Sequence, residues 1–259
     1  MFEEMNGKVL FVTGAASGMG RAVAVRFGAL GCKVAVAARK PAAAAETVKM
    51  VEEAGGEAIF ISCDVADELS VKTAIETTVN TFGSLDYAFN NAGCGADGVH
   101  IPFAPLTDVT EADWLKVINT NLTGMFHCLK YELIQMNAQG GGAIVNTASI
   151  GGLKMAPGFG AYGPSKAGVI AITQTAAVEN AKNNIRVNVI CPGPTEGTNL
   201  MSDSKASGAQ NVDFLMNNVI PMGKLGTTDD VADSVVFLCS EMSGHITGCA
   251  LPVCGGMQM

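Results

Sequence analysis

The sequence predicts an α/β fold: a single domain on a doubly wound, mostly parallel sheet of seven strands, with helices on both faces. Three observations carry this. Short β-branched runs alternate with longer helix-compatible stretches along the chain. Several of those runs are apolar throughout, the pattern of strands covered on both faces of a parallel sheet. The glycine-rich and polar motifs fall directly after strands, at the carboxyl edge where such sheets bind ligands.

Strands are expected at 9–13, 33–37, 58–62, 85–89, 143–147, 186–190 and 250–253. Helices are expected between them at 19–30, 42–54, 68–82, 111–138, 166–182 and 229–241. No Pro/Ser-rich linker divides the chain and no period repeats, so 1–259 reads as one domain, with 194–225 a lid inserted in it. With 48% apolar and 15% charged residues, 259 residues can bury a large core.

Charge and composition exclude several function classes. A net charge of −8, with four arginines in the whole chain, offers no clustered basic face for nucleic acid. No apolar run approaches the ~18 residues of a membrane span. The start, Met1-Phe2-Glu3-Glu4-Met5, is acidic and unlike a secretory signal, so a cytoplasmic location is expected. Eight cysteines without a C-x-x-C pair, and three separated histidines, lack zinc-ligand spacing; no metal is expected. Free thiols at this density fit a reducing compartment.

The first strand runs into Thr13-Gly14-Ala15-Ala16-Ser17-Gly18-Met19-Gly20. In a chain with 31 glycines this could be a plain turn. Placed between a strand and a helix, it instead lets backbone N–H groups approach a pyrophosphate at the positive helix end. Gly14, Ser17, Gly18, Met19 and Gly20 are the expected contacts. The second strand ends with Ala38 followed by Arg39 and Lys40. An acid there would bind a ribose 2′-OH; an arginine accommodates a 2′-phosphate, pointing to NADP(H) over NAD(H). A solvated basic pair is the alternative reading. Asp64 and Val65 follow the third strand, and Asn91, Ala92 and Gly93 the fourth. All five lie on the expected cofactor edge, although Asp, Asn and Gly are also ordinary turn residues.

In Tyr162-Gly163-Pro164-Ser165-Lys166 a helix would put Tyr162 and Lys166 on one face, with Pro164 tolerated only near its start. A nearby ammonium favours the phenolate and makes a usable acid/base. Ser149, closing the fifth strand, can hydrogen-bond a substrate oxygen as charge develops, or simply serve the turn.

In this order and placement the motifs, with Asn119-Thr120-Asn121-Leu122 and Cys191-Pro192-Gly193-Pro194, resemble the classical short-chain dehydrogenase/reductase family. The likeness runs from about Lys8 to the C-terminus and implies a Rossmann-like fold. It also implies metal-free hydride transfer between NADP(H) and a secondary alcohol or ketone. Tyr162 would be the general acid in reduction and the base in oxidation. Lys166 would lower the tyrosine pKa and hold the nicotinamide ribose, Ser149 would orient the substrate oxygen, and Asn121 would hold a water relaying protons to Lys166. Pro192, Gly193 and Thr195 would flank the nicotinamide. A homotetramer is implied, with 111–138 and 166–182 as contact elements.

Three departures from the family pattern stand out. In the first, the segment P-G-x-[IV]-x-T carries Thr195 in place of the aliphatic residue and Thr198 one place late; in the second, V-D-G-G appears as Val253-Cys254-Gly255-Gly256. The missing acid at position 38 is the third. Loops 94–105, 150–159 and 198–220 are expected to choose the substrate. The last holds Leu200, Met201, Phe214, Leu215 and Met216, which suit either core packing or an apolar substrate. A hydrophobic cyclic substrate such as a hydroxysteroid is expected. A 3-oxoacyl thioester is the alternative; it favours basic groups at the mouth, where 198–220 and its flank offer Lys205 and Lys224. A non-catalytic dinucleotide sensor would have eroded Asn121, Ser149, Tyr162 or Lys166, and all four are present.

Overall fold

Seven strands pair in parallel throughout, in the order β3-β2-β1-β4-β5-β6-β7, in a computed structural model that describes residues 2–95, 104–198, 201 and 212–257. They are β1 (Val9–Thr13), β2 (Lys33–Ala38), β3 (Glu57–Ser62), β4 (Tyr87–Asn90), β5 (Gly142–Thr147), β6 (Ile185–Pro192) and β7 (Ala250–Val253). Every pairing is parallel, which sharpens the expected mostly parallel sheet. Chain order reverses at β1, whose neighbours are β2 and β4. The crevice of a doubly wound sheet lies at that reversal.

The main helices are α1 (Gly18–Ala29), α2 (Pro41–Glu53), α3 (Glu68–Phe82), α4 (Glu111–Ile118), α5 (Gly124–Gln139), α6 (Ile150–Leu153), α7 (Tyr162–Asn180), α8 (Val212–Asn218) and α9 (Thr228–Cys239). Local signals set several ends. Asp67 caps α3 by accepting from the N–H groups of Leu69 and Ser70, and Gly83 closes it in the left-handed region at φ 92°. Thr227 and Asp230 form a reciprocal capping box on α9.

Alternation along β1 divides the core. Leu10 and Val12 face one layer with Phe27 of α1, Val51 of α2 and Val235 of α9. Phe11 faces the other with Ile75 of α3, Leu129 of α5 and Val169 of α7. β1 is therefore covered on both faces, as its unbroken apolar sequence requires, while the edge strands β3 and β7 are partly exposed.

Three expected boundaries differ. The helix expected over 111–138 is interrupted by a π-helical turn, Asn119–Thr123, which joins α4 to α5. The helix expected from 166 starts one turn earlier, at Tyr162. Leu85 lies before β4, not in it, because its N–H and carbonyl bond the Gln139 side chain. Of the inserted lid, 199–200 and 202–211 lie outside the described residues, with Leu200 and Lys205; so do 96–103 of the first substrate loop. Among the described lid residues Met201 is buried, Phe214 is exposed, and Thr195 bridges Gly226.

Candidate active site

The loop from β1 to α1 and the turn after β4 are interlocked by backbone contact. Thr13 Oγ1 accepts from the N–H groups of Asn91 (3.0 Å) and Ala92 (3.2 Å). Gly14 has φ 67°, and a Cβ on it would lie 2.9 Å from Ala92 Cα. A Cβ on Gly20 would lie 2.4 Å from the Gly14 carbonyl oxygen. Only glycine fits at either position. Helix α1 then starts at Gly18 with no acid in its first turn, so its positive end is left for an anion.

The same loop is held from α2. Thr47 Oγ1 donates to the Ala15 carbonyl at 2.9 Å, and Arg21 donates to the Ala16 carbonyl at 2.6 Å and to Glu46. At the end of β2, Ala38 is buried while Arg39 and Lys40 are exposed. Arg39 makes no ion pair among the described residues. At the end of β3, Asp64 Oδ1 accepts from Ala66 N–H, and the Val65 carbonyl bonds the His127 ring at 2.9 Å.

Ser149 follows β5 and caps α6 by accepting from Gly151 N–H at 3.1 Å. Tyr162 stands at the start of α7, its ring edge-on to Phe159 with centroids 5.8 Å apart. Lys166, 5% exposed, sits one turn on; its Nζ donates to the Thr147 carbonyl at 2.9 Å and lies 5.8 Å from the Tyr162 ring centroid. Burial pushes the Lys166 ammonium down to about 8. Burial also raises the Tyr162 phenol above its usual value, against a partial pull downward from a hydrogen bond with Ser149. Against the expected lowering by Lys166, desolvation dominates at Tyr162, and the ammonium donates to the Thr147 carbonyl.

Asn121 lies in the π turn at 1% exposure. Its Oδ1 accepts from Cys94 N–H (2.8 Å), while its amide donates to the Cys94 carbonyl (2.7 Å) and to Ser165 Oγ (3.1 Å). Gly93 lies against this clamp, since a Cβ there would meet Asn121 Oδ1 at 3.2 Å and Lys166 Nζ at 3.5 Å. The fold thus joins the catalytic candidates to the glycine loop through 91–93.

Pro192 and Gly193 end β6 beside Cys254, and Gly193 N–H bonds the Val253 carbonyl. Thr195 turns its hydroxyl back to the Gly193 carbonyl at 2.9 Å, so its side chain shapes the loop. Thr13, Cys94, Thr147 and Ser165 are parts of the site that sequence reasoning missed. The signal for Thr13 and Ser165 was their place inside the two motifs; Cys94 and Thr147 act through backbone groups and leave none.

The residues fit a nicotinamide dinucleotide. The tight glycine turn sets backbone N–H groups at the start of α1, and Asn91 Oδ1 and Thr147 Oγ1 are buried without a hydrogen-bond partner among the described residues. An apolar recess of about 530 Å³ lies behind Phe159 and Pro164, lined also by Ala104, Leu106 and Met155; Ser149, Tyr162 and Lys166 do not line it. A cleft of about 1130 Å³ lies at the opposite edge of the sheet, but its cations are committed: Arg186 to the end of α9, Lys8 to Asp86. Among the described residues no cluster could hold a metal, and no helix is long and apolar enough to cross a membrane.

A family model described as enoyl-(acyl carrier protein) reductase matches residues 14–258. An uncharacterised oxidoreductase of Thermotoga maritima is 38% identical over 251 residues, covering 96% of this chain and 97% of its own. The 3-oxoacyl-[acyl-carrier-protein] reductase FabG of Staphylococcus aureus is 37% identical, covering 97% and 98%. Among solved structures, NAD+-bound xylitol dehydrogenase superposes with a TM-score of 0.90 at 36% identity, over 98% of this chain and all of the other. A 7α-hydroxysteroid dehydrogenase complexed with NADH and 7-oxo glycochenodeoxycholic acid gives 0.87 at 27%, over 98% and 95%. Fold, motif placement and whole-length relatives agree: the chain is an oxidoreductase of the short-chain dehydrogenase/reductase family.

Proposed function

We propose that the protein interconverts a hydrophobic cyclic secondary alcohol, such as a hydroxysteroid, and its ketone, with NADP(H) as redox partner. The observation that carries this is Ser149, Tyr162 and Lys166 gathered at the end of β5 and the start of α7 and tied through 91–93 to the glycine loop, with an apolar recess behind Phe159 and Pro164. The bound dinucleotide supplies or takes up the hydride at its nicotinamide. Gly14, Ser17, Gly18, Met19 and Gly20 hold its phosphates, Asp64 and Val65 its adenine end, and 91–93 with Pro192, Gly193 and Thr195 its nicotinamide half. Ser149 orients the substrate oxygen. Tyr162 donates its proton to that oxygen in reduction and withdraws it in oxidation. Lys166 lies close enough to favour the phenolate once its ammonium turns from Thr147 to a ribose. Asn121 holds Ser165 and Cys94 in place around them and completes the proton route.

The recess, at about 530 Å³, is within the range of small-molecule sites and is large enough for a fused ring. A 3-oxoacyl thioester is the second reading, favoured by the whole-length similarity to the Staphylococcus aureus reductase. All eight cysteines are free, which supports a reducing, cytoplasmic setting.

Tyr162→Phe keeps the packed ring and removes only the proton. Turnover is expected to fall by at least about 10²-fold with dinucleotide binding retained. Near-normal turnover on a panel of steroid, cyclic and acyl ketones would overturn the mechanism.

Cofactor choice rests on the exposed Arg39, which can meet a 2′-phosphate through two charge-assisted bonds. A preference for NADPH of roughly 30- to 150-fold in kcat/KM is expected, about 2–3 kcal/mol at a partly solvated site. Ala38→Asp with Arg39→Ala should reverse it, because the new carboxylate accepts from the ribose 2′-OH and repels phosphate. Both cofactors are compared at one ionic strength. A wild type that prefers NADH would place Arg39 in solvent alone.

A further inference from the structure

Beneath the 91–93 turn a file of buried polar side chains crosses β4 and β5 between two helices. Thr173 of α7 donates to the Val169 carbonyl (2.7 Å) and accepts from the Asn146 amide (2.9 Å). Asn146 Oδ1 accepts from the Asn90 amide at 3.0 Å, and the same amide donates to Glu132 Oε2 of α5 at 2.8 Å. All four side chains are 1% exposed or less. A carbonyl can only accept, so Val169 fixes the direction of every bond in the file. Glu132 Oε2 must therefore be an acceptor.

Two atoms of the file are left over: Glu132 Oε1 and Asn90 Oδ1, both buried without partners among the described residues. As a carboxylate, Glu132 would bury a charge with no cation to balance it, since it makes no ion pair among the described residues. The titratable groups around it are the thiols of Cys63, at the end of β3, and Cys128, one turn back on α5, and burial raises both. As a neutral acid, Glu132 carries a hydroxyl donor on Oε1. Asn90 Oδ1 is the complementary acceptor, reached directly or through one internal water. Burial pushes the carboxyl up to about 8, with the Asn90 amide opposing.

Asn90 ends β4 and leads straight into the turn that Thr13 clamps and that touches Asn121 and Lys166. We propose that Glu132 is a positioning residue for the dinucleotide site: uncharged in the folded protein, it fixes Asn90 and with it the level of the 91–93 turn. This rests on the reading that 91–93 faces the dinucleotide. Ionised, Glu132 breaks the file and dinucleotide affinity falls.

The sign of the stability effect follows from linkage. An acid whose folded pKa is raised contributes stability that is complete below its unfolded value of about 4.5. That contribution is lost as pH rises to about 8, and the loss levels off above it. Glu132→Gln keeps the shape and a donor but cannot ionise. The experiment measures Tm without ligand, and the Kd of NADPH and NADH by fluorescence, for wild type, Glu132→Gln and Glu132→Leu from pH 5 to pH 10. Lys166 titrates in all three proteins and drops out of the ratios.

At pH 6 the Gln variant should bind as the wild type does, within about twofold, and the Leu variant at least fivefold more weakly, one N–H of its Asn90 amide left without an acceptor. The wild-type Kd should rise about tenfold relative to Gln between pH 7 and 9.5. The Tm of Gln should pull ahead through pH 5 to 8 and then run parallel. A pH-independent ratio and Tm gap would overturn the proposal, as would weak binding by Gln at pH 6 or normal binding by a folded Leu variant. If Leu does not fold, the Gln comparison decides alone. A wild type that binds neither dinucleotide would refute the site reading, while the Tm gap would still test the neutral acid.

Discussion

Lys166 carries a cost that its neighbours do not relieve. Its ammonium is nearly buried and has one protein acceptor, the Thr147 carbonyl. A lysine whose folded pKa is depressed contributes stability above its unfolded value near 10.5, and that contribution is lost as pH falls towards 8. At pH 7 the charge therefore costs roughly 3 kcal/mol. Lys166→Met should melt several degrees above the wild type at pH 7, with the gap closing between pH 8 and 10.5 in thermal scans. A gap that does not change with pH would show the ammonium to be well solvated. Ser149, Tyr162 and Lys166 were legible in the sequence through their order after successive strands and the family resemblance, and the fold brings them to one edge of the sheet. The direction of the Tyr162 shift was not, because it depends on how Phe159 and the ends of β5 and α7 enclose the ring. Glu132 was invisible for the same reason: a glutamate in a helix reads as a solvated face until the fold turns it inward.

At the level of elements, the order of strands and helices was readable because the apolar runs of the strands and the caps of helices such as α3 and α9 are local. The start of α7 was only partly readable: Pro164 demands a nearby helix start, yet the expected start at 166 fell one turn late of Tyr162. The π turn at Asn119–Thr123 was not readable. Its extra residue is accommodated by tertiary partners, Cys94 and Ser165 on Asn121, that lie far away in sequence. Such insertions within helices recur at functional sites, and here the insertion aims Asn121 at the turn beside Lys166. The loss of the usual acid at Cys254 also has a structural reading. Its side chain packs on Gly193 with no room to spare, while Gly193 keeps its backbone bond to Val253.

For the whole molecule, apolar surface remains on the two helical stretches expected to make subunit contacts. Leu115 and Phe126, three turns apart along α4 and α5, are each 46% exposed, and Val178 of α7 is 81% exposed. Light scattering at micromolar concentration should give the mass of four 26.6 kDa chains, and a monomer mass would leave those faces unexplained. The bond from Thr13 to the Asn91 and Ala92 N–H groups spans the sheet where chain order reverses, joining the half built from β1–β3 to the half built from β4–β7. Both N–H groups are part-buried, and they exchange only when their bond to Thr13 opens and the halves part at this point. Their deuterium uptake should therefore match that of the central strands, at a rate set by global opening, although binding turns commonly exchange early. Fast uptake at Asn91 and Ala92 with slow uptake in β1 and β4 would contradict this. A ligand meeting this turn finds it already rigid, so the entropy of ordering it was lost when the chain folded and does not weaken binding.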